Sequence, residues 1–346
     1  MTNRQHPRTQ QQSVRGFSLI ELMVSLTIGL IIAVAAVSAY LGAASAGKMA
    51  EAQSRMNEDA QAALAILTQQ LRMAGNNPKR ANRVDASTPT LASLRNPVYM
   101  PTPTYAGFSV SPSTYTLSNF KFIRGCTGRF GNITSTTATI DTLDTSTCAA
   151  GTSTLPDSLA VIYEADRFNT IPTTAGAPTD CLGNALTTIT ANNVPTIVGG
   201  TVTTATPVTF TVAENRFFIG TSTAIVSPSL YCKGNGGAST AQPLVENIED
   251  MRLTYGTLST SATVTGVVGY LRADQILSEP SLAALTSDAS RWKKVIAVRI
   301  CVVVRSEAPV VDSAASAKYL DCEGNLVSAP DLRLRRAYST TVELRN

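Results

Sequence analysis

Arg15-Gly16-Phe17-Ser18-Leu19-Ile20-Glu21 opens a run that stays apolar as far as Leu41, and Glu21 is the only charged side chain between Phe17 and Leu41. Those 25 residues suffice for one transmembrane helix at a rise of about 1.5 Å per residue. A carboxylate inside hydrocarbon is costly and is rare without a function, so Glu21 asks for a partner. The plainer alternative is that it snorkels to the headgroups.

Upstream, Met1–Gly16 carries Arg4, Arg8 and Arg15, no acid, and no apolar segment of its own. A secretory signal peptide sets its apolar core before the cleavage site. Here the candidate cut, after Gly16, precedes the apolar run, so cleavage keeps the helix in the mature chain. Glycine also leaves the backbone at the cut unobstructed. The basic leader predicts an N-terminus in the cytoplasm and the remainder of the chain outside it. An uncleaved signal anchor is the competing reading.

Residues Gly16–Glu21 resemble the N-terminus of a type IV prepilin. The resemblance implies that prepilin peptidase cuts between Gly16 and Phe17 and methylates the new amine of Phe17. It also implies that the Glu21 carboxylate pairs with the N-terminal amine of a neighbouring pilin during assembly.

The helix is expected to continue past the membrane. Met49, Met56, Ala60, Ala63, Leu64, Leu67 and Leu71 recur in steps of three, four and seven, which is one face of a helix. Glu51 and Arg55 form a favourable i,i+4 pair. Gly75-Asn76-Asn77-Pro78 is a stop signal. One helix from about Phe17 to Ala74 would span roughly 87 Å. Gly42-Ala43-Ala44-Ser45-Ala46-Gly47-Lys48 nearly matches a phosphate-binding loop, but Met49 stands where Ser or Thr would hold magnesium. No strand precedes it, so the pattern is rejected in favour of helix.

Past Lys79, Thr, Ser, Pro and Gly dominate, with short β-rich runs between them. Strands are expected at Phe120–Arg124, Leu159–Tyr163, Val208–Val212, Arg216–Ile219, Met251–Tyr255, Val267–Leu271, Val295–Val304 and Tyr338–Leu344. Val295–Val304 is apolar on both parities and should be a central strand, with Arg299 reaching a sheet edge or an ion pair. A short helix is expected near Ser281–Thr286. Ile133–Leu155 and Thr187–Thr206 are Thr-rich and nearly uncharged, and read as long surface loops or irregular edge strands. The resulting division is a cleaved leader at 1–16, a transmembrane helix half at 17–41, an amphipathic half at 42–77, and one β-rich head at 78–346.

All six cysteines, Cys126, Cys148, Cys181, Cys232, Cys301 and Cys322, lie in the part placed outside the cytoplasm, which points to disulfides. Fifteen connectivities exist; sequential pairing, 126–148, 181–232 and 301–322, is adopted as the expectation. Cys126-Thr127-Gly128, Cys181-Leu182-Gly183-Asn184, Cys232-Lys233-Gly234-Asn235 and Cys322-Glu323-Gly324-Asn325 each look like a staple at the root of a tight turn. No Cys-x-x-Cys pair suggests zinc. The single histidine, His6, lies in the leader, so a processed chain has no Ser-His or Cys-His catalysis and no His-bound metal. No Gly-x-Ser-x-Gly elbow occurs. Asp141 and Asp144 could bind calcium, but two isolated carboxylates in a Thr-rich loop read first as solvated. Neither catalytic residues nor a cofactor are expected. Net charge falls from +4 to +1 without the three leader arginines, which speaks against nucleic-acid binding by bulk charge. Arg333, Arg335 and Arg336 read as a solvated strand face.

Four segments narrow the resemblance to the PilW family of minor pilins, related to the J-type pseudopilins of type II secretion. They are Gly16–Glu21, Leu71–Asn76, Leu244–Gly256 and Arg335–Asn346. The resemblance covers the helix well, the head in patches, and the Thr-rich insertions hardly at all. It implies an α+β, type IV pilin-like fold and a structural role: priming pilus assembly from the inner membrane, with incorporation in the fibre, at its tip. Its partners would be other minor pilins and the major pilin through the helix, prepilin peptidase, the inner-membrane assembly platform and the membrane itself. Twitching motility, adhesion or DNA uptake would then depend on it indirectly. A J-type pseudopilin and a membrane-anchored periplasmic enzyme are the rival readings.

Overall fold

The computed structural model describes residues 16–75, 109–111, 122–131, 147–192, 195–198, 201–204, 207–223, 225–237, 240–260, 267–285 and 287–344. Leader residues 1–15, Asn76-Asn77-Pro78, Asp141, Asp144 and residues 133–146 of the first Thr-rich segment lie outside these, as do 120–121 of the first expected strand, Thr286, Arg345 and Asn346. The chain falls into two compact units, one ending at Glu51 and one running from Ala52 to Asn346.

Helix α1, Leu19–Met73, is continuous. The phosphate-loop lookalike lies inside it, as helix. Its end follows the stop signal: Gly75 adopts φ +72°, the left-handed conformation that suits glycine after a helix. The Gly75 N–H then donates to the Ile162 carbonyl at 2.9 Å. Of the expected stripe, Met56, Ala60, Ala63, Leu67 and Leu71 are fully buried, while Met49 and Leu64 are half-buried.

The strands are β1 (Ser109–Ser111), β2 (Ile123–Cys126), β3 (Ser158–Ala165), β4 (Thr188–Asn192), β5 (Pro195–Val198), β6 (Thr201–Thr204), β7 (Val208–Gly220), β8 (Ser229–Lys233), β9 (Gln242–Glu246), β10 (Ile248–Leu258), β11 (Val267–Leu271), β12 (Val295–Pro309), β13 (Lys318–Leu320), β14 (Leu326–Ser328) and β15 (Arg333–Glu343). One sheet has the order β1-β4-β7-β3-β2, with β8 paired to β7 and β9 to β8; the other is β11-β10-β12-β15. The strand pairings in both sheets are antiparallel. The α1 stripe shares one core with both sheets: Leu159, Val161 and Phe217 come from the larger, and Leu253, Val298, Ile300 and Val302 from the smaller. Full burial of a Leu or Met side chain stabilises by about 1.5–3 kcal/mol, so the stripe anchors the head to its helix.

Polar ties fix the register of helix against strands. Tyr338 donates to Asn57 at 2.6 Å, Asn215 donates to Gln70 at 2.8 Å, and Arg55 pairs with Glu307 at 3.0 Å.

Several expectations are corrected. β7 replaces the two strands expected at Val208–Val212 and Arg216–Ile219. The polar Ala213-Glu214-Asn215 link looks like a break, yet Asn215 bonds Gln70 and Tyr163 in the core. On the other parity Glu214 is buried with Arg216, whose Nε donates to it at 2.6 Å. Of the strand expected at Phe120–Arg124, Ile123 and Arg124 lie in β2, Phe122 precedes it, and β2 continues to Cys126. Of the two readings of the Thr-rich 187–206 segment, its described residues follow the strand one, with β4 lying between β7 and β1 rather than at an edge and β5 paired with β6 apart from both sheets. Near Ser281 there is a 3-10 turn, Pro280–Leu282, and the helical turns lie at Ala273–Ile276 and Asp288–Trp292. β12 is central, as expected, but Arg299 sits over the Tyr270 ring at 4.4 Å. A guanidinium on an aromatic face is well placed for a cation–π contact, which meets its need without an acid.

Candidate processing and assembly site

Residues Gly16–Ser18 precede the first turn of α1. Among the described residues, no atom beyond its chain neighbours lies within 4 Å of a Cβ built on Gly16, and Phe17 is 83% exposed, an arrangement that suits access by a peptidase. Ser18 and Glu21 then cap the helix reciprocally. The Glu21 N–H donates to Ser18 Oγ at 3.2 Å, and the Ser18 N–H donates to Glu21 Oε2 at 3.4 Å. This is a capping box, Ser-x-x-Glu, which satisfies two of the amides that a helix start leaves without partners. Periodicity alone does not reveal it; the Ser18–Glu21 spacing does. Glu21 therefore has a local role besides any intermolecular one, and its carboxylate lies within one turn of the Phe17 nitrogen that cleavage would free.

Beyond the cap, every large apolar side chain from Phe17 to Leu41 is at least 51% exposed. The helix is long and apolar enough to cross a membrane. Its hydroxyls are paired internally: Ser25 donates to the Glu21 carbonyl, Thr27 to Val24, Ser38 to Val34 and Ser45 to Gly42. Such back-bonding suits a helix surrounded by hydrocarbon, where no water is present to take the donor.

The head carries three disulfides, Cys126–Cys148, Cys181–Cys232 and Cys301–Cys322, and no free cysteine. Two of their turns are built alike. In Asp180-Cys181-Leu182-Gly183-Asn184, Asp180 Oδ1 accepts the Leu182 and Asn184 amides, and Gly183 has φ +77°. In Asp321-Cys322-Glu323-Gly324-Asn325, Asp321 Oδ1 accepts the Glu323 and Asn325 amides, and Gly324 has φ +83°. The preceding Asp is the part missed when only Cys-x-Gly-Asn is compared. Cys232-Lys233-Gly234-Asn235 is different: Cys232 and Lys233 belong to β8, and a Cβ on Gly234 would strike the Asp180 carboxylate. That glycine is there for close approach.

Of the three arginines expected on a solvated strand face, Arg336 is exposed and Arg333 half-buried, but Arg335 is not solvated. Arg335 is 5% exposed; it bonds Glu249 and, at 2.6 Å, Asp331, and lies under the Tyr319 ring at 5.9 Å. The hydrogen bond from Arg335 is the largest cause holding the Asp331 carboxyl below the usual carboxylate range, against a smaller opposing effect of burial. With Cys301–Cys322, these contacts pin the β13–β14 hairpin to the smaller sheet. Asp157 braces the two sheets: it accepts the Gly128 amide at 3.1 Å and the Leu253 amide at 2.9 Å. Burial pushes its carboxyl up, and those amides and Arg252 oppose the shift.

Among the described residues no group of His, Cys, Asp and Glu could hold a metal ion. A groove of about 680 Å³ runs beside α1, lined by one face of the helix, including Gln61, Leu64, Thr68 and Arg72, and by Ser339 and Thr340; among the described residues Arg72 is the one charged group that lines it.

The open Gly16–Phe17 junction, the capped apolar helix and the stapled β-rich head define a type IV pilin-like protein. Two family models match the chain: the Prokaryotic N-terminal methylation motif over residues 12–37, and Type IV Pilus-assembly protein W over residues 216–346. Together they support a PilW-family minor pilin, a structural pilus protein rather than an enzyme. No curated protein and no solved structure matches the chain. The second match begins inside β7 and runs through β15, so it takes in the smaller sheet and the pinned hairpin. The Thr-rich segments fall outside both matches.

Proposed function

We propose that this chain is a minor pilin that helps to prime type IV pilus assembly from the inner membrane and then enters the fibre, at its tip. The observation that carries the proposal is Glu21: one carboxylate in a helix whose other exposed side chains are uncharged as far as Leu41, one turn from the Phe17 nitrogen. The mechanism is docking without bond-making beyond processing. Prepilin peptidase releases the leader after Gly16 and methylates Phe17. The helix waits in the bilayer with the N-terminus cytoplasmic and the head periplasmic. Glu21 selects the amine of a neighbouring minor or major pilin, and the inner-membrane assembly platform lifts the helix into the fibre core. Pilus-dependent motility, adhesion or DNA uptake follow from fibre number.

The test is deletion of the gene, with complementation, scored for surface fibres and for secreted proteins in parallel. The proposal expects a loss of fibres with secretion unchanged. Normal fibre numbers with a secretion defect would instead make the chain a J-type pseudopilin.

A further inference from the structure

We propose that Ser18 is a positioning residue for leader removal: its cap fixes where α1 begins and so keeps the Gly16–Phe17 bond outside the helix, in the form a peptidase can cut. The inference rests on the processing reading and adds to it what sets the rate of the cut. The open space at Gly16 concerns side chains; Ser18 governs the backbone.

Gly16, Phe17 and Ser18 lie outside α1, whose first residue is Leu19. Only Phe17 stands between the bond to be cut and the cap. Three hydrogen bonds mark the boundary at Ser18. Its carbonyl accepts the Leu22 amide at 3.2 Å, as a residue of the helical ladder does. Its Oγ accepts the Glu21 amide at 3.2 Å, and its own amide donates to Glu21 Oε2 at 3.4 Å. A carbonyl inside the ladder with an amide turned to a side chain of the first turn is how a helix start is fixed. The other serines of this stretch behave differently. Ser25, Ser38 and Ser45 donate their hydroxyls to carbonyls three or four residues back, within the helix. Ser18 is the one whose oxygen accepts from the residue three ahead.

Without this cap the helix has reason to wind further back. An amide without a partner is costly at the edge of a bilayer, so an apolar helix gains by extending until a side chain or water meets its first amides. Upstream of Ser18 the nearest Ser, Thr, Asp or Asn is Ser13. A helix that ran back to that next capping side chain would take in residues 14–17, and the Gly16–Phe17 bond with them. Gly16 weakens such a turn without forbidding it. A peptidase acts on extended backbone, and a bond inside a helix is cut only while its turn is open, so the rate follows the open population. Ser18 raises that population. It sets how fast the leader leaves; slow removal still ends in mature chain.

The test compares Ser18→Thr with Ser18→Val, side chains of one shape of which only the first keeps the accepting oxygen. Full-length precursor in detergent micelles is mixed with purified prepilin peptidase, and the initial rate of leader release is read by mass spectrometry. The Thr chain should be cut within about two-fold of the parent rate, and the Val chain about five-fold more slowly, the factor that a typical cap is worth. Carbon-13 labels at Gly16 and Phe17 give a second readout on the uncut precursors. Their shifts should move toward helical values in the Val chain and keep extended values in the parent and Thr chains. Equal rates for Thr and Val, or a Thr chain as slow as Val, would overturn the proposal. So would slow cutting of the Val chain with unmoved shifts, which would make the hydroxyl a contact of the peptidase instead. A parent precursor left whole by active peptidase would remove the processing reading itself, and this inference with it.

Discussion

Glu21 answers to two demands that can be separated. As the last member of the capping box it accepts the Ser18 amide, and glutamine does this as well as glutamate. As a charge it would pair with a neighbour's amine, and glutamine cannot do that. Breaking a buried ion pair from one side costs about 3–5 kcal/mol. Glu21→Gln should therefore leave processing, membrane insertion and head disulfides intact while sharply lowering recovery of partner pilins and the number of fibres. Ser18→Ala, which loses a cap worth about 0.5–2 kcal/mol but keeps the charge, should recover partners far better. Co-purification from otherwise unmodified strains checks both; equal recovery with Glu21→Gln and the parent would reduce Glu21 to a capping residue. At Asp331 the relevant charge is a native one. Its folded carboxyl lies below the usual range, the hydrogen bond from Arg335 being the main cause, so the native state binds fewer protons than the unfolded chain. The contribution is present above the unfolded value, about pH 4, and disappears as pH falls through the depressed folded value. With Arg335→Gln, the gap in unfolding midpoint relative to the parent should hold steady above about pH 5 and narrow on acidification. A gap that widens in acid would show that Asp331 is not the group linked to Arg335.

At the scale of elements, α1 was readable because its signals are local. Met56 to Leu71 repeat with helical period and Gly75 stops the helix; the Ser18–Glu21 cap that starts it was overlooked in the sequence and is seen in the structure. β11 and the core of β12 were readable from continuous apolar runs. β7 was not, because its polar link is accommodated by pairings that a hydrophobic pattern does not reveal: Glu214 with Arg216 two residues along the same strand, and Asn215 with Gln70 and Tyr163, which are distant in sequence on α1 and β3. Arg335 was misread for the same reason. A three-arginine stretch looks solvated until Glu249 and Tyr319 are brought to it. The pinned hairpin has its own test. Replacing Cys301 and Cys322 together by serine removes a staple worth about 3 kcal/mol in the chain-entropy picture. Residues 310–332 should then lose hydrogen-exchange protection while β10 and β12 keep theirs. Loss of protection across the whole smaller sheet would show that the bridge supports the sheet itself.

For the whole molecule, the decisive contrast is between an apolar surface left open from Phe17 to Leu41 and a head that is buried, charged on its surface and cross-linked. That contrast was legible in the order of the residues, as was the expectation that the six cysteines pair. The pairing order was not deducible, since spacing cannot exclude the other connectivities; in the structure it is sequential. The native exported protein should accordingly show no reactive thiol without reduction, and labelling of two or more cysteines would contradict the stapled head. The central claim is that Gly16 is a cut site before a helix that stays. Intact mass spectrometry of the membrane-extracted protein measures this directly. The account predicts loss of Met1–Gly16 and one added methyl group on Phe17. A chain that retains its leader in cells with active prepilin peptidase would contradict it.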